Sequence, residues 1–73
     1  MAEIEREIEL TVNGEARRVP GGFTVADLLL ELGLRREGVA VAIDLRVVPR
    51  SQHAGRVLGA GERVEVITAV GGG

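Results

Sequence analysis

The chain's 73 residues, 45% of them apolar, with nine Lys+Arg, eleven Asp+Glu and a formal charge of −2, form one small domain whose single core leaves no chain for a deep substrate cavity. Zero cysteine excludes a disulfide framework, a persulfide or thiolate mechanism on this chain and a Cys-based zinc site, and because all nine basic residues are arginine a Schiff-base lysine is excluded too. The mildly acidic balance argues against nucleic acid, the acidic start Met1-Ala2-Glu3-Ile4-Glu5 against a secretory signal, and the absence of a long apolar run against a membrane span, so a cytoplasmic location is expected.

Ile4, Ile8, Leu10 and Val12 take even positions while Glu5, Glu7, Glu9 and Thr11 take odd ones, which predicts a strand from Ile4 to Val12 with one buried face. Asn13-Gly14 follows at once and predicts a type I′ hairpin, since that turn needs positive φ at both central residues. The two-residue loop sets Val12 opposite Glu15, Ile8 opposite Val19 on the inner face and Glu9 opposite Arg18 on the outer one. Arg17 falls opposite Leu10 and has to snorkel at an edge. Pro20-Gly21-Gly22 breaks the strand. Thr24 then stands as a helix N-cap, with Asp27 as its capping-box partner and Phe23 and Leu28 in the staple positions. Val25, Leu28, Leu29 and Leu32 repeat at helical spacing, and Gly33 supplies the C′ residue.

Val39-Ala40-Val41-Ala42-Ile43 is apolar at every position, which predicts an inner strand with Val39, Val41 and Ile43 towards one layer. Asp44-Leu45 reads as a tight connection, Arg46-Val47-Val48 as a short strand and Pro49 as its stop. Residues 50–59 show no period and predict irregular or single-turn helical structure. Gly59-Ala60-Gly61 forms a turn into a last strand in which Val64, Val66 and Thr68 alternate with Glu65 and Ile67. This order predicts an α+β roll: one helix over a mixed four- or five-stranded sheet, with the first and last strands adjacent in its middle.

Most residues that could carry chemistry have local explanations. Gly59-x-Gly61 precedes a strand rather than a helix and lacks the Lys of a phosphate loop, so it reads as a turn. His53 has only Asp44 and Ser51 nearby in sequence to orient it and reads as a surface or packing residue. Asp27 and Asp44 read as a cap and a turn residue, and no metal-ligand constellation is present. The end of the sequence is different. Gly71-Gly72-Gly73 is either a frayed tail or a side-chain-free arm whose terminal carboxylate enters a narrow partner site. A free α-carboxyl has a reference pKa of roughly 3.3–3.7, so at neutral pH it is ionised and can attack the α-phosphorus of ATP held by another protein.

The blocks Val12-Asn13-Gly14-Glu15, Thr24-Val25-Ala26-Asp27-Leu28-Leu29, Val39-Ala40-Val41-Ala42, Val48-Pro49-Arg50-Ser51 and Gly61-Glu62-Arg63-Val64-Glu65-Val66, closed by Gly72-Gly73, resemble the ThiS family over nearly the whole chain. These are the β-grasp, ubiquitin-like sulfur carriers of thiamine biosynthesis. His53 stands where many members have Trp, and Gly71 extends the usual glycine pair to three. The resemblance implies a β-grasp domain over residues 1–69 and a flexible Gly-rich arm over 70–73. A ThiF-type, E1-like adenylyltransferase would adenylate Gly73 with ATP and magnesium. A cysteine desulfurase or other sulfur donor would convert the adenylate to a thiocarboxylate, which would pass sulfur to a ThiG-type thiazole synthase. Gly72 and Gly73 would then be the reacting end and Ile67, Val70 and Gly71 partner contacts. The chain itself would bind no metal or cofactor, would be a monomer alone and would act as co-substrate rather than enzyme.

Ile67 opposes the core parity of Val64 and Val66, so it either faces a partner on the outer sheet surface or packs under the loop of residues 50–59. With no lysine present, no ε-amine of this chain can capture its own activated terminus, although codon preference or growth temperature also accounts for the bias. Two other functions fit the same pattern. One is the small subunit of molybdopterin synthase, with a different sulfur acceptor, and the other is a non-catalytic ubiquitin-like interaction module.

Overall fold

A computed structural model describes residues 6–35 and 37–68. Its strands are β1 (Glu7–Val12), β2 (Glu15–Pro20), β3 (Val39–Ile43), β4 (Arg46–Val48) and β5 (Arg63–Thr68), with one helix, α1 (Val25–Glu31), between β2 and β3. They form one five-stranded sheet in the order β2-β1-β5-β3-β4. β1 and β5 pair in parallel near its centre and the other neighbours pair antiparallel, as the strand pattern predicts.

The β1–β2 hairpin has the expected register, with Ile8 opposite Val19, Glu9 opposite Arg18 and Val12 opposite Glu15. Asn13 and Gly14 hold φ of +52° and +87°, the left-handed pair a type I′ turn requires. Arg17 sits half-buried on the edge strand β2, opposite Leu10. The first residues of the predicted strand, Ile4 and Glu5, lie outside the described residues.

At seven residues α1 is too short to stand alone, so its ends and its buried face hold it. Asp27 N–H donates to Thr24 Oγ1 at 3.1 Å and Thr24 N–H to Asp27 Oδ2 at 3.0 Å, which closes the capping box. Two further amides at the helix start, those of Val25 and Ala26, donate to the carbonyls of Arg56 (2.9 Å) and His53 (3.0 Å) in the loop before β5. At the other end Gly33 takes φ +77°, its N–H donates to the Leu30 carbonyl, and Leu34 N–H donates to the Leu29 carbonyl at 2.9 Å, a complete Schellman motif. Val25, Leu28 and Leu29 are fully buried against the sheet, each worth roughly 1.5–3 kcal/mol of apolar burial.

The core behind α1 is built from Leu10, Val12, Val19, Val41, Ile43, Val48, Leu58, Val64 and Val66. β3 is an inner strand, as predicted, but it is covered on one face only: Val41 and Ile43 are buried while Ala40 is exposed and Ala42 half-buried. A single helix covers a single face, so the alanines of β3 lie on an open outer surface. Among the described residues no helix is long and apolar enough to cross a membrane.

Candidate functional site

The sequence-predicted site divides at residue 68. Val70, Gly71, Gly72 and Gly73 lie outside the described residues, which end at the root of the expected arm and the surface around it. That root is Thr68, the last residue of β5, paired with Val39 of β3.

Ile67, immediately before the root, is 62% exposed, so it does not pack under the loop of residues 50–59. The register explains its setting. Ile67 pairs with Ala40, Glu65 with Ala42, and Ala42 with Val47, which places Ile67, Ala40, Ala42 and Val47 on the outer face across three adjacent strands. Val47 is exposed there, and Leu45 is exposed at the tip of the β3–β4 hairpin. Arg50, Gly38 and Val39 border a shallow hollow beside Ile67, which adds a cation to the rim of this apolar strip.

On the inner side of the root an open hollow of about 420 Å³ is lined by residues that include Asn13, Arg17, Leu34, Val66 and Thr68. Asn13 does more here than turn the chain. Its Oδ1 accepts from Val66 N–H at 2.8 Å and its Nδ2 donates to the Val66 carbonyl at 3.2 Å. The Asn-Gly pair signals a hairpin and carries no sign of that second contact, which spans 53 positions.

His53 is a core residue, only 1% exposed. Its Nε2 lies 3.1 Å from the Val48 carbonyl, and because a carbonyl only accepts, Nε2 carries the proton. Among the described residues Nδ1 has no hydrogen-bond partner and no triad geometry forms around the ring. Gly59 and Gly61 do not cradle an anion: Gly59 N–H donates to Glu62 Oε1 at 2.7 Å and Gly61 N–H to the Glu9 carbonyl at 2.8 Å, so both glycine donors are already used. Glu62 also pairs with Arg56 at 2.9 Å. Asp44 is the expected turn residue and additionally accepts from Arg63 N–H at 3.0 Å. Among the described residues no group of three His, Asp or Glu side chains could hold a metal ion.

A mixed sheet with its first and last strands paired in parallel at the centre, crossed on one face by a single capped helix, defines a ubiquitin-like β-grasp domain. The ThiS family model matches residues 10–73, and the chain belongs to the ThiS family. It is 32% identical over 66 residues to the sulfur carrier protein ThiS of Escherichia coli K12, covering 90% of this chain and all of that one. It is 38% identical over 66 residues to a thiazole synthase of Paramagnetospirillum magneticum, of which it spans 20% of the length. A thiazole synthase of Magnetococcus marinus is 35% identical, again over 20% of its length. The crystal structure of the thiamine biosynthesis protein ThiS of Geobacter metallireducens superposes with a TM-score of 0.77 at 30% identity, covering 90% of this chain and all of that one.

Proposed function

We propose that this chain is a sulfur carrier of thiamine biosynthesis whose reacting group is the carboxylate of Gly73. The observation that carries the reading is the ThiS-family match, which runs through the terminal glycines at residue 73. In this reading an E1-like adenylyltransferase of the ThiF type holds ATP and magnesium. The Gly73 carboxylate attacks the α-phosphorus and releases pyrophosphate. Sulfide from the donor then attacks the acyl carbon and displaces AMP to leave a thiocarboxylate; where the donor is a cysteine desulfurase, its persulfide displaces AMP to form an acyl disulfide, and a thiol cleaves the S–S bond, leaving the thiocarboxylate and a mixed disulfide. Gly71 and Gly72 keep the approach free of Cβ atoms, and Val70 with Ile67 contacts the partner beside the arm. Thiazole synthase is the proposed acceptor, supported by the two thiazole synthases that carry a segment similar to this chain within their own length. The chain acts as co-substrate in this scheme and the chemistry belongs to its partners.

The test is intact-protein mass spectrometry after incubation with the host's E1-like enzyme, Mg-ATP and a sulfur source, beside a chain lacking Gly73. The expected result is a mass gain equal to one oxygen replaced by sulfur, absent in the truncated control. No gain, from an enzyme active on another carrier, points instead to an interaction module. Co-purification with the large subunit of molybdopterin synthase rather than thiazole synthase moves the acceptor.

A further inference from the structure

The β1 backbone runs beside β5 only as far as Val12 opposite Val64, where the chain turns into the hairpin; the last main-chain bond on that side is Asn13 N–H to the Val64 carbonyl, 2.8 Å. One step further along β5, a neighbouring strand would have to offer Val66 both an acceptor and a donor. Asn13 offers both from its side chain, at 2.8 and 3.2 Å. A carboxamide carries the same acceptor and donor as a peptide group, so the side chain continues the parallel ladder past the end of its own strand. The turn alone does not ask for this: glycine adopts φ +52° at lower cost, and aspartate lacks the donor.

On the opposite edge β3 pairs with β5 as far as Thr68. The carboxamide is what holds β5 from the β1 side at its last turn of pleat.

We propose that Asn13 is a positioning residue for the chemistry at Gly73: by clamping Val66 it fixes the end of β5 from which the remaining residues to Gly73 continue. The role rests on the sulfur-carrier reading. Loss of the clamp leaves the reacting carboxylate unchanged and makes its delivery to the partner site less favourable.

The test follows pyrophosphate release by the host's E1-like enzyme with Mg-ATP against carrier concentration. Wild type, Asn13→Gly and Asn13→Asp are compared at a temperature where circular dichroism shows all three folded, with amide hydrogen exchange at Val66 measured alongside. Asn13→Gly keeps the turn and removes both bonds, so it is expected to raise the KM for the carrier about tenfold with kcat little changed, and to speed exchange at Val66. Asn13→Asp keeps the acceptor and loses the donor, and falls between. Faster exchange at Val66 with an unchanged KM makes the clamp structural only and overturns the positioning role, as does unchanged exchange in Asn13→Gly. Pyrophosphate release absent with wild type, from an enzyme active on another carrier, overturns the sulfur-carrier reading and the positioning role together; the wild-type arm thereby separates that failure from one confined to Asn13.

Discussion

Leu45 holds φ +72° at the tip of the β3–β4 hairpin with most of its side chain in water. Left-handed backbone costs a branched residue roughly 1–2 kcal/mol, and glycine is the residue this turn position favours. The conformation persists because its neighbour Asp44 is fixed from β5: Asp44 N–H donates to the Arg63 carbonyl at 2.8 Å and Asp44 Oδ1 accepts from Arg63 N–H. Leu45→Gly is therefore expected to stabilise the fold by about 1 kcal/mol and raise the thermal midpoint by about 4–8 °C, read by thermal unfolding. A lowered midpoint would mean that the leucine's apolar contacts outweigh its backbone strain. Asp-Leu is legible as a tight connection, but the strain is not, since nothing local marks the leucine for positive φ. His53 is similar. Sequence leaves it as surface or packing, and its burial is decided by the 3₁₀ turn over Arg50–Gln52, which brings the ring back to the Val48 carbonyl.

Elements whose determinants are local were legible: the Asn-Gly hairpin with its register, the Thr24–Asp27 capping box and the Gly33 stop all form as their residue types require. Because α1 is so short, its first turn matters out of proportion to its length. Thr24→Ala removes the acceptor for Asp27 N–H and is expected to destabilise the domain by about 1 kcal/mol in urea denaturation. Thr24→Ser, which keeps the acceptor, should lose only a few tenths; equal losses in the two variants would show that the methyl group, not the cap, matters. The stretch from residue 50 to 62 was legible as irregular or single-turn helical structure followed by a turn, and a 3₁₀ turn does form over Arg50–Gln52, but its pairings with other elements were not legible. Leu58 N–H donates to the Phe23 carbonyl, and the Arg56 and His53 carbonyls cap α1, pairings no local period encodes.

At the scale of the molecule, the described residues place one α-helix on one face of the sheet and none on the other, and the apolar strip of Ile67, Ala40, Ala42 and Val47 is assembled on that other face from β5, β3 and β4. The alternation of β5 made Ile67 a legible candidate, whereas the alanines beside it looked like the second buried face of an inner strand. Ile67→Glu is expected to leave the unfolding midpoint within about 0.5 kcal/mol of wild type, because the side chain is mostly in water. ATP–pyrophosphate exchange by the E1-like enzyme should fall by about thirtyfold or more, the loss typical of an interface hot spot. Unchanged exchange places the partner's grip elsewhere. What no local pattern could reveal is the joining of Asn13 to Val66, a contact that exists only once the two ends of the domain meet.

That meeting has a consequence for how the protein is made. β5 lies in the middle of the sheet although it is the last strand of the sequence, so on the ribosome β1–β2 and β3–β4 emerge as separate hairpins with no shared edge. Lone hairpins are marginal in water, and the long-range pairing that joins them forms late. A polypeptide cut short before residue 63 lacks the strand that unites the halves, and has no joined sheet to present. Any molecule that displays the Ile67 surface has been translated through β5, and the topology thereby screens out copies that stop short of it.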